Sequence, residues 1–255
     1  MNADELTQIL EQHKLWLADK TQGKRADLFH ADLRSANLCG AKLRGADLSG
    51  CDLRFASLRY ADLRGCDLRF ASLRHANLRG CDLRDANLSD ANLSGCDLRG
   101  CDLRHASLRG CDLRGCDLRG CDLRGCDLRF ASLRESDLSG AKLSCANLSR
   151  VDLSGTQFPT VTPYPQLVEK IAEQVDAHEG CLSMRRWHTC DTVHCLAGWA
   201  VTLHEDGKKL EDEIGTSAAA ALIFHASCGE VPDFYSDEKT ARAWLKLKVN
   251  QRGKK

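Results

Sequence analysis

Leucine recurs at every fifth position from Leu28 to Leu153, 26 times without a gap, and Phe158 holds the next position of the register. A spacing of five suits neither regular element. On a helix each step of five rotates the side chain by about 140° and scatters the leucines around the axis; on a strand an odd step alternates faces. The chain must therefore turn once per repeat. If each pentapeptide makes one short side of a coil and a corner, every leucine points to one interior and stacked coils pair their backbones like parallel strands.

The position two before each leucine tests that arrangement, because a second inward site near a narrow axis accepts only small groups. It holds fifteen Ala, nine Cys, Ser136 and Val151. The position just before leucine is Asp or Asn in twenty repeats, as at Asp62 and Asn87, and the position after it is Arg in seventeen, so these point outward. The last position is often glycine, as at Gly65, Gly100 and Gly115, which suits a corner with positive φ. The motif A(D/N)LRG, written here as AKLRGADLSG and GCDLRGCDLR, resembles the pentapeptide-repeat family over residues 26–158, about half the chain. That resemblance implies a right-handed quadrilateral β-helix with four pentapeptides per coil, the leucine and the small residue directed inward. At about 4.8 Å per stacked strand, some six and a half coils make a rod roughly 32 Å long.

Both ends of such a rod need covering, since they expose apolar interior and unpaired backbone. Residues 1–25 read as an N-terminal capping helix and linker: Leu6, Ile9, Leu10, His13, Trp16 and Leu17 follow helical spacing, and Asn2 and Glu5 stand as a capping pair. After Phe158 the repeat stops. Pro159, Pro163 and Pro165 mark a linker, and residues 159–255 read as a small α-helical C-terminal domain. Its helical patterns cover about 165–178, with Leu167, Ile171 and Val175 on one face, then 194–204, 217–227 and 237–249, with Ser236 as N-cap of the last.

A twenty-residue coil stacks residues twenty apart. Arg44, Arg64, Arg84, Arg104 and Arg124 then form one column, Arg59, Arg79, Arg99 and Arg119 another, and Asp62, Asp82, Asp102 and Asp122 run beside the first. Such a column reads either as a binding stripe or as a solvated face of alternating charge. Phe55, Tyr60, Phe70 and Phe130 occupy the corner position. The first three fall within about one coil and make a candidate interface with the Arg44 column.

These features favour a non-enzymatic scaffold that presents a rigid surface to a protein partner. The resemblance implies a second reading, since quinolone-resistance members of the family are acidic rods thought to mimic duplex DNA on a type II topoisomerase such as gyrase. Residues 26–158 carry 20 Lys plus Arg against 18 Asp plus Glu, and the repeat lacks the projecting loops of many of those members, so both features depart from that pattern. Interleaved aspartates also argue against direct nucleic-acid binding. The whole chain balances 36 basic with 36 acidic residues. No apolar run is long enough for a membrane span and the start lacks a signal-peptide layout, which gives a cytoplasmic expectation. Homodimers through open coil ends are common in the family, but the expected caps favour a monomer.

Eleven of the fifteen cysteines lie in the repeat, nine at the small inward position, which points to packing by reduced thiols and not to a disulfide framework or metal-lined tube. Outside the repeat, His188, Cys190, His194 and Cys195 cluster in WHTCDTVHCLAGWA. This segment resembles a small helical domain of bacterial proteins that carries two cysteines five apart, from which no role carries over. As metal ligands the four match no standard zinc spacing, and a redox pair or a nucleophilic Cys195 with His188 or His194 as base is the other chemistry they offer. A structural role within a helical core is favoured, and no cofactor is expected.

Overall fold

The computed structural model describes residues 1–143, 145–157, 164, 166–177, 200–201, 203–204, 207–214, 216–228, 230–232 and 238–252. The chain divides into two compact units, Met1–Ala146 with Asp152–Pro159, and Asn147–Val151 with Thr160–Lys255.

In the first unit the predicted period is realised as parallel bridges between residues twenty apart, from Asp27 with Asp47 to Asp137 with Gln157. Four pentapeptides therefore close one coil. All 26 register leucines are buried, none more than 3% exposed. Every fifth residue from His30 to Gly155 has a φ between 53° and 70°, glycine or not. The corner is a four-residue turn with its third residue left-handed, closed by bonds such as Ala31 N to the Leu28 carbonyl at 2.9 Å.

Where Asp or Asn precedes leucine, the repeat finds a partner for each of its amides. Taking residues 31–35, Ala31 N closes the turn, Leu33 N donates to Asp52 O at 2.8 Å, and Ser35 N donates to Arg54 O at 2.9 Å. In the next coil Asp52 N donates back to Ala31 O at 3.0 Å. The fifth amide, Arg34 N, donates to the Asp32 side chain at 3.2 Å. Asp or Asn before leucine thus has a conformational task, an Asx-type bond to the residue two ahead. The same bond recurs at Asn77 and Asn87.

The inward cysteines also do more than fill space. Cys51 Sγ donates to the Leu28 carbonyl at 2.7 Å, and Cys66, Cys81, Cys96 and Cys101 repeat the bond to the leucine 23 residues earlier at 2.8–2.9 Å. Each thiol gives that carbonyl a second donor besides the corner amide, which alanine cannot. Burial pushes the thiols of Cys51, Cys66, Cys116 and Cys126 up to about 12. Cys101 is raised by its thiol neighbours Cys121 and Cys81 and by burial. All eleven cysteines of the repeat are free, and only Cys39 and Cys145 are exposed. In alkylation with iodoacetamide followed by peptide mass mapping, these two are expected to react in the native state and the nine inward thiols only after denaturation; native labelling at Cys101 or Cys111 would contradict this.

Helix α1, Ala3–Ala18, begins with the expected reciprocal cap: Glu5 N donates to Asn2 Oδ1 at 2.8 Å and Asn2 N to Glu5 Oε2 at 3.0 Å. His13 is its one fully buried residue. The His13 Nδ1 accepts from Ala26 N at 2.9 Å, which places the ring proton on Nε2. The cover is partial, for Ala31, Ala36 and Ala41 remain half-buried where the inward alanines from Ala46 to Ala131 are sealed.

Burial lowers the His13 pKa from 6.5, the Arg25 cation adds to this, and the Arg44 and Leu43 carbonyls offset part of it. The folded state thus favours the neutral ring. Its stabilisation is complete above pH 6.5 and is lost as pH falls below that value toward the depressed folded pKa. The melting temperature is therefore expected to fall between pH 7.5 and 5.5, and His13→Gln, which cannot titrate, should reduce that difference in circular-dichroism melts.

In the second unit four helices are described: α2 Leu167–Ala177, α3 Gly207–Ile214, α4 Thr216–Cys228 and α5 Glu238–Arg252. The expected face of α2 is buried, with Leu167, Ile171 and Val175 at most 3% exposed. Helix α4 is apolar nearly all round and buries Ala219 to Phe224, as an interior helix should. It packs against α2 and α3, while α5 packs on α2. Phe224 meets Trp244 edge-on at 5.7 Å, and the Trp244 indole donates to Glu230 at 3.0 Å. Helix α3 escapes the sequence reading because GKKLEDEI offers only two apolar positions. Phe158, Ser236 and most of 194–204 lie outside the described residues.

Candidate interaction surface

The arginine columns stand where the register puts them, and their electrostatics follow from the residue before each leucine. Arg64 grips Asp62 with Nε to Oδ1 at 2.8 Å and Nη2 to Oδ2 at 2.6 Å, and its Nε lies 3.5 Å from Asp82 on the next coil. Arg84 and Arg104 repeat this with Asp82 and Asp102, and each also reaches toward the aspartate one coil on. Arg124 closes the series on Asp122. The result is a ladder of alternating charge. At Asp62, Asp102 and Asp122 the hydrogen-bonded arginine side chain lowers the carboxyl pKa, and the aspartate in turn raises the arginine. Arg64, Arg84, Arg104 and Arg124 are therefore neutralised where they stand, whereas Arg44 follows Lys42 and has no carboxylate partner among the described residues.

The corner aromatics are exposed as expected: Phe55 by 63%, Tyr60 by 59% and Phe70 by 67%. They do not share one side. In the twenty-residue coil Phe55 and Tyr60 bound one side, Phe55 and Phe70 bound the preceding one, and Phe70 and Tyr60 fall on opposite corners. Phe55 stacks on His75 of the next coil at 5.4 Å and 20°. Tyr60 is held between the Arg59 guanidinium, 5.5 Å from its ring centre, and Gly80, where an added Cβ would meet the ring at 2.7 Å.

Sequence reasoning missed that the side chain before leucine, together with the one a coil further on, sets which arginines stay unpaired, as Arg134 after Ser132 reaches Asp152 at 3.9 Å. Where it is Ser or Asn, as at Ser57, Ser72 and Asn77, the following Arg59, Arg74 and Arg79 form no ion pair among the described residues. The signal was legible in the motif. Among the described residues no group of three or more His, Cys, Asp or Glu is placed to hold a metal, and no helix is long and apolar enough to cross a membrane. His188, Cys190, His194 and Cys195 lie outside the described residues.

Parallel bridges twenty residues apart, a leucine interior and a charge-laddered exterior define a four-sided β-solenoid repeat protein. The family described as pentapeptide repeats matches in eight copies over residues 24–54, 46–85, 86–125 and 121–158, more than half the chain, and this protein belongs to that family. Membership implies the right-handed sense of the coil.

Solved structures to which the chain is similar include HetL, a pentapeptide repeat protein involved in heterocyst differentiation regulation in the cyanobacterium Nostoc sp. strain PCC 7120. It is 30% identical, with 61% of this chain and 79% of that chain covered and a TM-score of 0.28. The plasmid-mediated fluoroquinolone resistance protein QnrB1 is 24% identical, covering 55% and 77% with a TM-score of 0.29. Rfr23 from the cyanobacterium Cyanothece 51142 is 24% identical, covering 60% and 99% with a TM-score of 0.31. No curated protein matches this chain.

Phe70 has a φ of 60°, which strains a residue with a Cβ by about 1 kcal/mol. Phe70→Gly is expected to raise stability by about 1 kcal/mol in chemical denaturation, because the exposed ring contributes little packing; a loss of stability would show that the ring is structurally engaged.

Proposed function

We propose that this protein is a non-enzymatic scaffold whose rigid solenoid surface engages a protein partner in the cytoplasm, with residues 1–25 as cap, 26–158 as the rod and 159–255 as a separate helical domain. The observation that carries the reading is the division of labour along the repeat. Inward positions are closed along the middle of the rod and hold only apolar or thiol side chains there, and the variety of the sequence lies at outward positions held in fixed columns. A surface of that kind suits recognition.

Action on a type II topoisomerase as a DNA mimic has less support. Such a mimic needs a dense negative field, and here most aspartates of the rod are gripped by an arginine two residues on. A near-neutral rod gives no such field.

The test is affinity capture from host lysate with the full chain and with residues 1–158, read by mass spectrometry, beside a gyrase supercoiling assay. One partner retained by both baits and no effect on supercoiling at stoichiometric excess is expected. A partner that follows only the full chain would make the rod a spacer, and inhibition of gyrase would overturn the preference stated above.

A further inference from the structure

One side of the solenoid breaks the charge pattern of the others. Along it the residue before each leucine reads Asn37, Ser57 and Asn77 in the N-terminal half and Asp97, Asp117 and Asp137 in the C-terminal half. The C-terminal half is a ladder like its neighbours: Arg99 grips Asp97 at 2.8 and 2.6 Å and reaches Asp117 at 3.3 Å, and Arg119 grips Asp117 and reaches Asp137 at 3.6 Å. The N-terminal half carries Arg59 and Arg79 with no carboxylate between them. Asp97, next along the column from Arg79, is already occupied by Arg99.

The corners bounding this half are equally distinct. Phe55 and His75 stack at one corner and Tyr60 stands at the other, all with φ between 58° and 60°. Glycine would hold such a conformation without strain, and it does so at half the corners of the repeat. Arg74, just before His75, follows Ser72 and is likewise unpaired among the described residues. Aromatic rings at strained corners thus frame guanidinium groups that form no ion pair with a carboxylate among the described residues, Asp97 and Asp112 feeling Arg79 and Arg74 only at longer range.

We propose that this half-side, made by Arg59, Arg79, Phe55, Tyr60 and His75, with Arg74 just across the His75 corner, is the docking surface for an acidic peptide segment of a partner protein. The inference rests on the scaffold reading and gives it a site. Charge complementarity identifies the occupant: two arginines on neighbouring coils, whose backbones stack about 5 Å apart, suit carboxylates on an extended chain, and the rings cover apolar residues between them. A single-stranded nucleic acid fits less well. The cationic stretch is two coils deep, about 10 Å, after which Asp97, Asp117 and Asp137 would face a continuing phosphate backbone.

The test uses the full chain and fluorescence anisotropy at low and at moderate salt. The probes are a fluorescein-labelled peptide Gly-Glu-Leu-Glu-Phe-Glu-Leu-Glu-Gly, the same peptide with Gln for every Glu, and a labelled twelve-residue oligothymidylate. The acidic peptide is expected to bind, with affinity falling at least tenfold in the Gln peptide and in the double variant Arg59→Gln/Arg79→Gln. Arg119→Gln, on the same side but in the laddered half, should change it less than twofold. Unchanged circular-dichroism melts of the variants establish that folding is intact. No binding of the acidic peptide, binding indifferent to Arg59 and Arg79, or tighter binding of the oligothymidylate overturns the proposal. If a lysate partner is still captured equally by the double variant, the scaffold reading stands and this site falls.

Discussion

A chain can send a side chain to the inside of a prism every fifth residue only by turning at every repeat, and the turn requires one residue in the left-handed region. That corner is the constraint on which the rest depends. It is met at each repeat from His30 to Gly155, by glycine in half the cases and by residues with a Cβ in the others. Because the turn closes in five residues and the coil in twenty, every column of the molecule follows from the one number. An insertion of a single residue would shift the leucines out of register with the coils on either side. This explains why the repeat runs for 26 leucines without a break.

The backbone accounting explains the polar half of the motif. A five-residue repeat offers five amides; three are taken by neighbouring coils and one by the corner. The last falls to the Asp or Asn before leucine, as with Arg34 N on Asp32. Arginine at the next position then closes on the same carboxylate from outside, as Arg34 does on Asp32 at 2.8 and 2.6 Å. Exposed ion pairs of this kind contribute little to stability individually. Their structural role is to fix the side chains in one rotamer and to cancel the charge where it arises.

Much of this was legible in the sequence because the repeat has only one geometric solution. The leucines, the small inward column and the corner glycines each state a steric requirement, and α1 announced itself through Asn2 and Glu5. The cap's central residue was less legible. His13 sat in the helical pattern as one more inward position, and only the fold brings the Ala26 amide to its Nδ1. The thiol donors were likewise hidden, since a cysteine bond to a carbonyl 23 residues earlier depends on the stacking of coils. Helix α3 was missed for the opposite reason: eight residues with two apolar positions carry too little periodicity to register.

The candidate surface shows where sequence reading of charge goes astray. A column of five arginines invites interpretation as a cationic stripe, yet four of them are bound to the aspartate two residues before. The informative position is therefore the one that precedes leucine. Wherever an arginine follows Asp-Leu, it is bound to that Asp; at Ser57, Ser72 and Asn77 the same arginine stands in the same place without an ion pair among the described residues, whereas Arg134 after Ser132 finds Asp152 of the next coil at 3.9 Å. Ser57, Ser72 and Asn77 make that exchange within little more than one coil, beside Phe55 and Tyr60. In a rod whose every side is built from the same five-residue unit, a partner has no fold-level landmark to recognise. Distinction has to come from local departures from the ladder, and on this protein the aromatic corners and the uncompensated arginines depart from it together.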